Sequence, residues 1–291
     1  MPIAAPTVAP TAALWRVGAI MLTSMTLIVG GDVAAKVLSQ NGISPIFIAW
    51  TRFALASVVL LPFCGLTRVD APALRDPRVW LRALFIMGGI CLILTALRTE
   101  PVADTFGAFF VGPIVAYALS GWLLKERITL ARTVLLGVSF LGVLLVVKPG
   151  FGVTVGMVFA VLAGIFHGCY VVSTRWIAPL YRPRLLLISQ LVLGGIMLAP
   201  FGLAARPDRL TLAAFVLVAI SAMGSAFGNL LLVKLSQSTP SSVIAPLIYT
   251  QLIPATILGF LVFSDWPDWI SFAGLAVIFA AGIASLALSQ R

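Results

Sequence analysis

The chain has 291 residues, of which 61% are hydrophobic and only 10% charged. A soluble domain carries about 25% charged residues, so this composition excludes a water-soluble globule of the same size. The formal net charge is +10, but the Lys and Arg residues stand singly or in small groups between apolar blocks, which argues against a basic nucleic-acid-binding domain.

Residues 1–14, rich in Pro and Ala, read as a disordered cytoplasmic tail. Arg16 and the apolar block after it imitate a signal peptide, yet the block takes part in an internal repeat and is read as a retained helix. That first helix is predicted at 17–38 and carries Asp32 and, near its end, Lys36, whose ammonium is expected to snorkel to water. Asn41-Gly42 turns the chain into helix two, 44–65, which holds Arg52. Asp76-Pro77 precedes helix three, 79–98, and helix four follows at 101–123 with Gly107, Gly112-Pro113 and Tyr117. Helix five is predicted at 131–148 and ends on Lys148-Pro149-Gly150. Helix six, 154–176, contains Gly164, His167, Gly168 and Tyr170; its GxxxG spacing lets helices approach closely. Helix seven runs over 184–204 and helix eight over 211–234, with a second GxxxG at Gly224 and Gly228, and Asn229 beside it. Helix nine, 240–263, carries Pro246, Tyr249, Gln251, Pro254 and Gly259; helix ten runs over 269–288.

The fold class is therefore an all-α membrane protein of ten transmembrane helices. Thirteen cations fall on the side that holds the termini when the N-terminus is inside, counting Arg82 among the helix-end residues, and five on the other; Arg52 lies within helix two. Positive charge stays in the cytoplasm, so both termini are expected there, in a bacterial inner membrane. Trp15, Trp80, Trp176, Trp266 and Trp269 fit the aromatic belt at the membrane surfaces, and Phe109 and Phe110 either line a cavity or, the commoner fate, contact lipid. Cys64, Cys91 and Cys169 lie in or at the ends of apolar blocks and read as small buried hydrophobes, not as a disulfide framework.

An offset of 138 residues aligns the two halves. Gly18 matches Gly156, Gly30 matches Gly168, Pro45 matches Pro183, Pro62 matches Pro200 and Gly121 matches Gly259. Chance gives about one or two such identities. The halves, 15–150 and 151–291, each hold an odd number of helices, so the second enters the membrane from the opposite side, an inverted repeat of the kind transporters use.

Several segments resemble the EamA family of the drug/metabolite transporter superfamily. They are Ser44-Pro45 with Trp50-Thr51-Arg52-Phe53, Leu123-Leu124-Lys125-Glu126-Arg127-Ile128, the Gly137 and Gly142 helix with Val147-Lys148-Pro149-Gly150, and Ala245-Pro246-Leu247-Ile248-Tyr249 followed by Phe263-Ser264-Asp265-Trp266-Pro267-Asp268. Asp265 departs from the first unit's Glu126 and lacks its basic neighbours. The resemblance covers about 17–288 and implies a ten-helix carrier of small metabolites. Amino-acid or related export is the first expectation, and a riboflavin-type vitamin importer the second.

An intramembrane enzyme or lipid-handling protein is the rival from another class. It needs a nucleophile, a metal cluster or paired acids, and none assembles from this sequence. There is no P-loop and no HExxH, and the single histidine argues against a metal site. No cofactor is expected. A substrate, proton or other ion gradient is the expected source of energy, and a monomer and a homodimer remain equally open.

The candidate site follows from the repeat. Helices four and nine are equivalent, and Pro113, Pro246 and Pro254 interrupt them. Matching breaks in the two halves point to a central binding site. Tyr117, His167, Tyr170, Asn229, Tyr249 and Gln251 are the candidate substrate-binding residues. Asp32 and Arg52 are expected to pair between adjacent helices, with direct substrate contact as the alternative. His167 reads as a hydrogen-bonded neutral histidine or as a proton or substrate site. These groups suit a neutral or zwitterionic cargo.

Overall fold

The computed structural model describes residues 11–64, 68–126, 128–147, 154–264 and 269–288. The described residues are helical throughout, with no strand. In chain order the helices are α1 (Thr11–Gln40), α2 (Pro45–Leu60), α3 (Pro77–Thr99), α4 (Val102–Phe109), α5 (Val111–Leu123), α6 (Leu130–Val147), α7 (Val155–Ile177), α8 (Pro183–Ala204), α9 (Leu212–Ser238), α10 (Ser241–Ile248), α11 (Leu252–Phe263) and α12 (Trp269–Leu288). Short 3-10 segments lie at Leu61–Phe63, Arg68–Arg75 and Tyr249–Gln251. Among the described residues, eight stretches are long and apolar enough to cross a membrane, with two shorter apolar helices at Leu130–Leu145 and Phe272–Ala281. The tail over 1–10, Arg127, 148–150, 265–268 and Arg291 lie outside the described residues.

The helix starts follow local chemistry. Pro45 and Pro183 open α2 and α8, where a missing N–H costs nothing. Asp76, Thr154 and Thr211 cap α3, α7 and α9 by accepting from Arg78 N, Met157 N and Ala214 N. The Arg78 guanidinium bonded to Asp76 holds its carboxyl down at about 2; partial burial opposes this and the Tyr181 hydroxyl adds to it. Gly42, at φ 84°, makes the turn after α1.

Helices four and nine of the sequence reading are each broken. Pro113 offers no N–H to the Phe109 carbonyl, and the chain breaks at Phe110 between α4 and α5. Pro254 likewise leaves the Thr250 carbonyl without its helical donor, next to the 3-10 segment between α10 and α11. The breaks fall at equivalent places, since 138 residues after Phe110 lies Ile248.

Packing is mostly antiparallel and pairwise. The main pairs are α1 with α9, α3 with α7, α2 with α8 and α6 with α12, while α5 meets α10 and α4 meets α11. Both GxxxG pairs lie where backbones nearly touch. A Cβ on Gly224 would stand 2.7 Å from the Leu27 carbonyl of α1, and one on Gly228 2.7 Å from the Ser24 carbonyl. Gly164 and Gly168 meet α4 and α5 in the same way, a Cβ on Gly168 lying 2.6 Å from the Gly112 carbonyl. The outer face is apolar, with residues such as Leu130, Leu212 and Trp269 fully presented.

These contacts predict a contrast. Gly168→Ala forces α5 and α7 apart and should cost about 1–3 kcal/mol, read as a lower unfolding temperature in detergent. Gly30→Ala, which meets nothing within 4 Å, should leave that temperature unchanged or raise it slightly.

Candidate functional site

Arg52 is the centre of the site. Its Nη1 donates to Asp32 Oδ1 at 2.7 Å, its Nε to Ser221 Oγ at 2.8 Å and its Nη2 to the Gly31 carbonyl at 2.6 Å. Both charged side chains are almost wholly buried, at 2% and 5% exposure. Two helices, α1 and α9, supply the partners of this α2 side chain. Gly31 lets α9 close in: a Cβ there would stand 2.9 Å from the Ser221 carbonyl.

A cavity of about 40 Å³ opens against this pair. Asp32, Arg52, His167, Asn229 and Gln251 line it, with Ser225 and the rings of Phe85, Phe106 and Phe109. Its volume suits a few waters, not a metabolite. Two polar atoms in the lining, His167 Nδ1 and Asn229 Oδ1, are buried and have no hydrogen-bond partner among the described residues. Such atoms are costly unless something bonds them. A larger space of about 420 Å³ between α3, α5 and α7 is walled by leucines, Phe85 and Trp176 with little polar surface, and offers nothing to orient a polar molecule.

The other candidates fall elsewhere. Tyr117 Oη meets Thr133 Oγ1 at 2.9 Å and ties α5 to α6. Tyr249 packs on Phe110 and donates to its carbonyl at 3.4 Å, joining the two broken helices. Tyr170 has its ring 5.9 Å from that of His167 but bonds Gln190 and Arg82 behind the cavity. Pro113 and Pro254 are buried in α5 and α11, and Pro246 lies within α10. The sequence reading missed Ser221, Ser225 and Gln190. Gln190 was reachable, because it stands 138 residues after Arg52, as Tyr170 does after Asp32.

Three expectations are corrected. Lys36 does not snorkel: it is buried, with Nζ donating to the Glu100 carbonyl at 2.5 Å and standing 5.4 Å over the Phe263 ring. Arg82, counted with the helix-end cations, is fully buried. Phe109 and Phe110 are buried rather than facing lipid, and Phe109 lines the cavity.

Beyond the cavity the bundle is tied at two places. Lys36, at the end of α1, binds the carbonyl that follows α3, and Glu100 accepts from Thr154 of the α7 cap at 2.7 Å. Arg175, near the end of α7, binds the Ser236 and Gln237 carbonyls at the end of α9 at 3.0 and 2.9 Å. Glu126 lies 3.7 Å from Arg175 and accepts from Ser241 N at the start of α10.

A helical membrane bundle with broken central helices around a small cavity bordered by a buried ion pair is the build of a transporter. The EamA-like transporter family model matches residues 16–148 and again 154–287, and the chain belongs to that family. The S-adenosylmethionine uptake transporter of Rickettsia prowazekii (strain Madrid E) is 25% identical over 255 residues, 86% of this chain and 85% of the relative. A protein of the same name from Rickettsia bellii (strain RML369-C) is 27% identical over 89% of each chain. The riboflavin transporter of Vibrio cholerae serotype O1 is 24% identical, covering 91% of this chain and 89% of its own. A solved crystal structure superposes over 97% of this chain and 99% of its own with a TM-score of 0.75 at 15% identity, a likeness of fold.

The pair predicts a mutational pattern. Arg52→Ala leaves Asp32 buried without a counter-charge and should cost about 3–5 kcal/mol. The double change Asp32→Asn with Arg52→Gln should unfold at a higher temperature in detergent than Arg52→Ala. A double variant no more stable than the single would mean the two residues act independently.

Proposed function

We propose that this transporter is a secondary carrier working by alternating access, built as two inverted five-helix units, 15–150 and 151–291, with ten spans and both termini in the cytoplasm of a bacterium. The pairing of helices supports the inverted scheme. Exchanging α1 with α7, α3 with α9, and α4–α5 with α10–α11 turns the set of main contacts into itself. The equivalent helices α2 and α8 run antiparallel where they meet, Trp50 beside Gly202 and Phe53 beside Gly194. The tie of Lys36 to the end of α3 has its counterpart in the tie of Arg175 to the end of α9. Rocking of such halves about a fixed centre exposes the site to one side at a time.

The observation that carries the reading is the small cavity where a buried ion pair and two unbonded polar atoms meet aromatic rings. We propose a cargo with both charged ends of an amino acid and a flat ring, the chemistry of S-adenosylmethionine, which the Rickettsia relatives are named for. Asp32 and Arg52 take its ionised ends, the phenylalanines its ring, and His167, Asn229 and Gln251 its polar edges. The names of these relatives favour uptake over the export expected from the sequence. Riboflavin is the second reading, favoured by the aromatic wall and by the relatives of that name. A proton or other ion gradient is the proposed driving force.

Purified protein in proteoliposomes should take up labelled S-adenosylmethionine; riboflavin accumulation instead would favour the second reading, and accumulation of neither would overturn both. Asn229→Leu removes an unbonded acceptor together with a donor to the Ser225 carbonyl one turn back, so it should be about as heat-stable as the parent. Its transport should fall about tenfold, the value of one lost hydrogen bond to cargo.

A further inference from the structure

The counterparts of Asp32 and Arg52, Tyr170 and Gln190, also touch: Tyr170 Oη donates to Gln190 Oε1 at 3.1 Å. Asp32 and Arg52 join α1 to α2 and bind α9 through Ser221. Tyr170 and Gln190 join α7 to α8, and Arg82 of α3 donates to Tyr170. Under the exchange of halves, α7, α8 and α3 stand where α1, α2 and α9 stand. The same polar knot is therefore built twice.

The two knots differ in charge. The first balances a guanidinium with a carboxylate. In the second, Arg82 donates Nε to Thr174 Oγ1 at 2.8 Å, Nη1 to the Leu186 carbonyl at 2.8 Å and Nη2 to Tyr170 Oη at 3.1 Å. Its guanidinium lies 4.9 Å over the Tyr170 ring. Arg82 is 0% exposed, and the ion pairs among the described residues give it no carboxylate. A buried cation inside a membrane bundle is expensive without a counter-charge. Neutral oxygens and a ring keep the charge but do not balance it.

Only the first knot borders the cavity here. The second is sealed behind His167. A motion that exchanges the surroundings of the two halves seals the first and opens the second. We infer that Arg82 is the cargo-binding arginine of the opposite-facing state and takes a carboxylate there, as the counter-charge its own knot lacks. The inference rests on the alternating-access reading above. It gives the carrier two half-sites of unequal charge, so that a cargo carboxylate has an arginine waiting in each state.

Thr174→Cys and Ser225→Cys, placed singly in a background without Cys64, Cys91 and Cys169, report the two knots. In right-side-out and inverted vesicles, a small polar thiol reagent should reach them from opposite faces. Acetate should slow labelling at Thr174→Cys at about one-tenth the concentration that acetamide needs, the ratio of one charge-assisted bond. Arg82→Lys should keep that preference and Arg82→Gln should abolish it. If Arg82→Gln does not fold, the acetate and acetamide comparison with Arg82 and with Arg82→Lys still decides. Labelling of both cysteines from one face would overturn the alternating-access reading and this inference with it. Opposite-face labelling with equal response to acetate and acetamide would overturn the role of Arg82 alone, as would a Thr174→Cys that no reagent reaches in protein that still transports.

Discussion

A guanidinium held inside a bilayer needs hydrogen-bond acceptors that hydrocarbon does not offer. Arg52 meets this demand with a carboxylate, a hydroxyl and a backbone carbonyl from two other helices. For the partners to converge, α1 and α9 must approach closely, and they do so through Gly31, Gly224 and Gly228. The small residues, the crossing of the helices and the position of the cavity are thus consequences of one buried charge. Arg82, also in the first half, makes a similar demand, and α7 and α8 close on α3 to supply its partners.

Much of the fold was legible in the sequence because a bilayer imposes a length on each apolar block. The blocks gave the helices to within a few residues, and the proline-bearing segments gave the breaks in four and nine, since a missing N–H has a local effect. The adjacency of Asp32 and Arg52 was legible because two opposite charges inside neighbouring apolar helices have few other partners. Side-chain direction was not. These helices are apolar on nearly every face, so periodicity does not say which way Tyr117 or Tyr170 points. Tyr117 found a threonine on α6, and Tyr170 an arginine on α3; both choices depend on packing between segments far apart in sequence. Lys36 and Arg82 were misjudged for a related reason. A cation near a helix end normally reaches water, but the end of α3 covers one and α7 with α8 encloses the other.

The conformation is closed around its centre. The cavity holds too little space for a metabolite, and the ties through Lys36 and Arg175 are both made. Each tie sets a cation against carbonyls at the end of a helix, where the helix dipole favours positive charge. Such contacts are individually modest. The unbonded atoms of His167 and Asn229 remain at the centre.

The central claim is that the two ends of the bundle open in alternation. Distances between spin labels in nanodiscs test it most directly, with one pair at Gln40 and Arg98 and the other at Trp176 and Ser238, at the two tied ends. The account predicts two distances for each pair, and cross-linking one pair in its short state should drive the other to its long one. A single fixed distance at both ends, or a second pair indifferent to the lock on the first, would contradict it.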